Sequence, residues 1–66
     1  MNIIVNGDPR DVPDTMPMAD LVEALGLTGQ RIAVEVNEQL VPRSTFDSHR
    51  LAPGDRIEII QAVGGG

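Results

Sequence analysis

Cysteine, lysine, tryptophan and tyrosine are all missing from this 66-residue chain, and phenylalanine occurs once, at Phe46. Without cysteine there is no disulfide, no thiolate ligand and no thiol nucleophile. With a single aromatic ring, a core has to be assembled from aliphatic side chains. The length allows one small domain, near the size at which burying enough surface becomes difficult. No apolar run approaches the ~20 residues of a membrane-spanning helix, and the first residues lack the basic flank and long apolar stretch of a secretory leader. The expectation is a soluble, cytoplasmic protein. Basic charge is scarce too: ten acidic residues face five arginines (Arg10, Arg31, Arg43, Arg50 and Arg56), for a net charge of -5. An acidic surface without a basic stripe argues against nucleic acid and anionic membranes and favours a protein partner with a basic docking face. His49 has no second ligand at metal spacing, so a solvated loop histidine is expected and no metal.

What is present is a sequence of short periodic segments. Met1 to Asn6 is apolar and β-branched and stops at Gly7-Asp8-Pro9, which predicts a strand and a turn, with Arg10-Asp11-Val12 returning. Period-2 alternation puts Met1, Ile3 and Val5 on the core face and Ile4 on the other. Met18, Leu21, Val22 and Leu25 then follow the spacing of an amphipathic helix. Asp14 or Thr15 is expected to cap it, Pro17 suits its first turn, and Gly26 its stop. A helix this short must pack on a sheet to persist.

Alternation resumes from Arg31 to Asn37, with Ile32, Val34 and Val36 on one face. Asn37-Glu38-Gln39 is polar enough to turn, and Leu40-Val41-Pro42 reads as a short strand ended by proline. Ser44 is expected to cap a short helical turn through Thr45, Phe46 and Asp47. Pro53-Gly54 fits the centre of a type II turn. Arg56 to Gln61 forms the last strand, with Ile57 and Ile59 inward and Ile60 on Ile4's side. The order is strand, strand, helix, strand, strand, short helix, strand. One substantial helix must cover one sheet face, which gives an α+β fold. The most apolar strands, first and last, are placed adjacent at the sheet centre, as in a β-grasp.

The last strand runs into Gly64-Gly65-Gly66. Glycine loses the most backbone entropy on ordering, so a flexible tail over 62–66 is expected behind a domain over 1–61. A bare main chain can also enter a slot too narrow for any side chain. Glu35, Asp55 and Glu58 sit on strands or a turn without a nucleophile beside them, so docking or solubility suits them better than catalysis. Arg43 is left to a neighbouring acid or a partner.

Several segments together resemble the sulfur carriers of thiamine biosynthesis, the ThiS family of ubiquitin-like β-grasp proteins, over nearly the whole chain. They are Met1-Asn2-Ile3-Ile4-Val5-Asn6-Gly7, Leu21-Val22-Glu23-Ala24-Leu25-Gly26-Leu27, Val36-Asn37, Val41-Pro42-Arg43-Ser44, Gly54-Asp55-Arg56-Ile57-Glu58-Ile59 and Ala62-Val63-Gly64-Gly65-Gly66. Two departures are Phe46, where relatives often carry tryptophan, and the Met16-Pro17 entry to the helix.

The resemblance implies a mixed sheet of about five strands, first and last central and parallel, with one main and one short helix. It also implies a chemistry. A terminal carboxylate is ionised at pH 7 and its oxygen is a poor leaving group. The Gly66 carboxylate would attack the α-phosphate of ATP on a ThiF-like adenylating enzyme, and sulfur from a donor such as a cysteine desulfurase would open the acyl-adenylate to a thiocarboxylate. A ThiG-like thiazole synthase would be the acceptor. Val63, Gly64 and Gly65 would enter partner sites, Ile4 and Ile60 form a candidate docking patch, and the chain, a monomer when free, is a cosubstrate with no cofactor of its own. Carriers for molybdopterin or other sulfur metabolites, and a binding-only ubiquitin-like module, are the alternatives.

Overall fold

The computed structural model describes residues 1–62, and within them the elements follow the expected order. They are β1 (Asn2–Val5), β2 (Asp8–Asp11), α1 (Met18–Ala24), β3 (Ile32–Val36), β4 (Gln39–Val41), a 3-10 turn (Arg43–Thr45) and β5 (Arg56–Gln61). The strands make one sheet in the order β2-β1-β5-β3-β4. β5 is central, parallel to β1 on one side and antiparallel to β3 on the other. This is the ubiquitin-like β-grasp arrangement.

Each hairpin turns on an asparagine. β1 and β2 pair with Val5 opposite Asp8, so the turn consists of Asn6 and Gly7, at φ 49 and 85. That replaces the expected turn at Gly7-Asp8-Pro9 and starts the return strand two residues early. Asn-Gly supplies the two positive φ angles that a type I′ hairpin needs. Pro9 is tolerated inside β2 because β2 is an edge strand and Pro9 faces Ile4, whose own N–H turns the other way to Asp55 O at 2.9 Å. β3 and β4 close in the same way through Asn37 and Glu38, at φ 52 and 69.

The helix begins differently from the expectation. Neither Asp14 nor Thr15 caps it: Pro17 occupies the N-cap without a side-chain bond, and Thr15 bonds Asp14 O. The first helical amides are satisfied from a distant loop instead, Met18 N–H by His49 O at 2.8 Å and Ala19 N–H by Phe46 O at 3.0 Å. The end matches. Gly26 at φ 73 lets its own N–H reach Glu23 O and that of Leu27 reach Val22 O, a Schellman motif. Leu25 falls at the C-cap, half-buried and packed against the core beside the helical stripe. Ser44 likewise lies inside the 3-10 turn, whose N-cap is Pro42. Pro42 O takes the N–H of Thr45 at 2.9 Å, and the fixed proline φ sets up the turn without a side-chain cap.

The core lies between α1 and one face of the sheet. Met18, Leu21 and Val22 from the helix meet Ile3, Val5, Val34, Val36, Ile57 and Ile59 from the strands, closed by Val12, Val41, Phe46 and Leu51. The inward positions are those the alternation predicts. At ~1.5–3 kcal/mol for each fully buried large aliphatic, such residues dominate the stability of a domain this small.

Candidate functional site

Covering one face of the sheet with α1 leaves the other open. On that face β5 presents Arg56, Glu58 and Ile60, β3 presents Ala33 and Glu35, β4 presents Leu40, and β1 presents Ile4. Ile60 is 59% exposed and Leu40 68%, large values for apolar side chains in strands. Ile60 lies opposite Ala33, and one level down Glu58 lies opposite Glu35, itself opposite Leu40. Two apolar side chains thus flank a pair of carboxylates across three strands.

Ile4 shares the face but not the neighbourhood. It is half-buried and level with Arg56, four residues before Ile60 on β5, which is ~13 Å along the strand. Its surroundings form a shallow depression of about 350 Å³ at the hairpin end, with Gly7, Asn37, Glu38, Arg56 and Glu58. The structure therefore does not bring Ile4 and Ile60 together. Leu40 is a further exposed apolar side chain of this face that the sequence reading missed, two strands from Ile60 at the level of Glu35, although alternation against the inward Val41 was the available signal.

The ends of β5 are held by the same two asparagines. Asn37 Oδ1 accepts the N–H of Arg56 at 3.0 Å, and its Nδ2 donates to Asp55 Oδ1 at 3.1 Å. Asp55 Oδ2 in turn accepts the N–H of Ala52 at 2.8 Å, closing the Pro53-Gly54 turn. At the far end Asn6 bonds both main-chain groups of Ile59, and Ala62 N–H reaches Arg31 O at 2.8 Å. The central strand thus carries the chain up to Ala62 with pairing on its β3 side throughout. Val63, Gly64, Gly65 and Gly66, singled out from the sequence, lie outside the described residues.

The remaining candidates do ordinary structural work. Arg43 donates to Gln30 O and, among the described residues, to no acid. His49 is half-buried and contributes its carbonyl to α1. Among the described residues no group of three or more His, Cys, Asp or Glu could hold a metal, and no helix is long and apolar enough to cross a membrane.

A β-grasp domain whose central, last strand runs on into Ala-Val-Gly-Gly-Gly is built like a ubiquitin-type carrier. Residues 3–66 match the model of the ThiS family, and the chain belongs to that family of small sulfur carriers of thiamine biosynthesis, which act as protein cosubstrates and not as catalysts. The crystal structure of the thiamine biosynthesis protein ThiS from Geobacter metallireducens superposes with a TM-score of 0.85, at 32% identity over all of both chains. The sulfur carrier protein ThiS of Escherichia coli is 29% identical over the full length of each. A thiazole synthase of Paramagnetospirillum magneticum is 33% identical over the whole of this chain, which spans only 20% of that protein.

Proposed function

We propose that this protein carries sulfur for the thiazole part of thiamine as a thiocarboxylate at Gly66. The observation that carries the reading is the family match running through Gly66, joined to a fold whose central strand ends at Gln61, five residues earlier in the sequence. In the first step the Gly66 carboxylate attacks the α-phosphate of ATP on a ThiF-like adenylating enzyme, releasing pyrophosphate. In the second a sulfur nucleophile at the oxidation level of hydrosulfide adds to the acyl carbon and expels AMP, leaving one oxygen of the carboxylate replaced by sulfur. The sulfur originates as the persulfide of a donor such as a cysteine desulfurase, and a thiol of the partner system reduces it to that level, ending as a disulfide. ATP belongs to the partner, and this chain supplies only the carboxyl and the surface that presents it.

The acceptor in this reading is a ThiG-like thiazole synthase. Support comes from the Paramagnetospirillum relative, a thiazole synthase in which a stretch similar to this chain forms a fifth of the length. Joining a carrier to its consumer raises the effective concentration of one at the other. Residues 62–66 are the part that enters partner sites, with Val63, Gly64 and Gly65 as a narrow stem, and residues 1–61 are the handle. For the docking patch we take the open sheet face around Ile60 and Ala33, with Glu35 and Glu58 beside them and Leu40 beyond, a face suited to an apolar knob ringed by basic side chains. Activation that consumes ATP suits the cytoplasm, which is the compartment this reading takes.

The test is an intact-mass measurement after incubation with ATP, a ThiF-like enzyme and a sulfur source. Replacement of one oxygen by sulfur, absent when Gly66 is deleted, is the expected result. An unchanged mass overturns the carrier reading for that partner, and transfer of the label to thiazole synthase then decides the pathway.

A further inference from the structure

β5 outruns β1. Their parallel ladder closes at Val5 and Ile57, where the Asn6 N–H still reaches Ile57 O at 2.9 Å. The chain then turns away through Asn6 and Gly7, both at positive φ, while β5 continues to Gln61. Along β5 the carbonyls of Asp55 and Ile57 serve the β1 side, accepting from Ile4 and Asn6. Two residues on, the N–H and C=O of Ile59 point to the same side, where no backbone of β1 remains.

The Asn6 side chain takes that place. Its Oδ1 accepts the N–H of Ile59 at 2.8 Å, and its Nδ2 donates to the C=O of Ile59 at 3.3 Å. A carboxamide offers the donor and acceptor of a peptide group, so it acts as one more backbone unit of β1. The turn does not require this. Glycine satisfies a positive φ at least as well as asparagine, so the side chain's own contribution is the pair of bonds to Ile59. Ile59 is also the last inward core residue of β5, after which Ile60 faces outward.

We infer that Asn6 is a positioning residue for the carrier reaction, locking β5 on both sides as far as Ile59 and so fixing the direction in which the residues beyond Gln61 are presented. It touches no reacting atom and acts through Ile59. The inference rests on the carrier reading.

Two variants test it in the full chain. Asn6→Gly keeps the turn and removes both bonds; Asn6→Asp keeps an acceptor for the Ile59 N–H but sets a carboxylate against its C=O. Amide exchange of Ile59 is read by NMR beside Ile57 and Val34, and adenylation is followed by pyrophosphate release. In Asn6→Gly the Ile59 amide is expected to exchange about five- to tenfold faster, as loss of one modest hydrogen bond allows, with Ile57 and Val34 unchanged. The kcat is expected to fall several-fold with KM unchanged, because the face carrying Ile60 and Leu40 is intact, and Asn6→Asp should lie between. A merely structural role would leave kcat alone. Ile59 exchange at the wild-type rate, or undiminished kcat in Asn6→Gly, overturns the inference alone. Failure of the unsubstituted protein to be adenylated overturns the carrier reading and this role with it.

Discussion

Ile60 lies directly opposite Ala33 on the sheet face that α1 leaves uncovered, and the small partner leaves the isoleucine standing 59% exposed. A β-branched residue standing this far out of the sheet contributes little to the core, yet it offers a partner an anchor of apolar area. Ile60→Asp is expected to lower the melting temperature by a few degrees, because aspartate is a poor strand former by about 1 kcal/mol, and to weaken binding to the adenylating enzyme about tenfold or more, the scale of a modest hot spot. Leu40→Asp should act in the same direction, and Ile4→Ala should have a smaller effect on binding. Wild-type affinity for Ile60→Asp, measured by calorimetry or by KM, removes this face as the docking surface.

Asn37 ties the start of the central strand. It combines a positive φ with bonds to the Arg56 N–H and the Asp55 carboxylate. Asn37→Gly removes the bonds and keeps the turn; Asn37→Ala removes the bonds and adds backbone strain. These bonds are exposed, so ~1 kcal/mol is expected for the glycine variant and ~2 kcal/mol for the alanine one. Urea unfolding checks both, and equal losses in the two would show that the strain contributes nothing.

Much of the fold is legible because its periodic segments are buried on one side only. Met18, Leu21 and Val22 announce the helix, and Ile57 and Ile59 the inward face of β5, since a one-residue slip would expose them. The terminators Gly26 and Pro53-Gly54 are read correctly because their φ preferences are local. Two of the failures have their cause in contacts that span the chain. The amides of Met18 and Ala19 are satisfied by His49 and Phe46, so no capping residue is needed beside them and none can be read there. Pro9 looks like a turn until β2 is known to be an edge strand. Ile4 and Ile60 are paired on paper because alternation assigns both to one face without saying how far apart the register sets them.

The Met1 amine gives a pH dependence with little interference. It donates to Val12 O at 2.7 Å and lies 3.4 and 3.3 Å from the Asp11 and Asp14 carboxylates. Lost hydration pulls its pKa down, but the bonds to Asp14 and Asp11 and their charges outweigh this and hold it above the ordinary 8.0. The native state therefore binds this proton more tightly than the unfolded chain. The contribution is full below about pH 8 and fades as pH rises through the native value. With no lysine, tyrosine or cysteine in the chain, little else titrates there. Both carboxylates are largely in water, so the effect is small and salt-sensitive. A slight fall in Tm between pH 7 and 10 is expected, absent when the amine is acetylated; a flat profile in the free-amine protein contradicts it.

Gly65→Val separates presentation from folding. In the proposed reaction the terminal carboxyl has to reach the α-phosphate of ATP through a partner's channel, and the width of that channel matters only to atoms that protrude from the stem. A valine adds a branched Cβ one residue from the reacting carbon and restricts the backbone angles open to glycine. The core formed by Ile57 and Ile59, and the pairing of Gln61 with Ile32, are built from residues 1–62. Stability is expected to stay within ~0.5 kcal/mol of the unsubstituted protein, while pyrophosphate release on the adenylating enzyme falls to background. Affinity for that enzyme should drop far less than activity, because the Ile60 face still docks. A substantial fall in Tm would instead assign residue 65 to the folded domain, and normal adenylation would show that the channel tolerates a side chain.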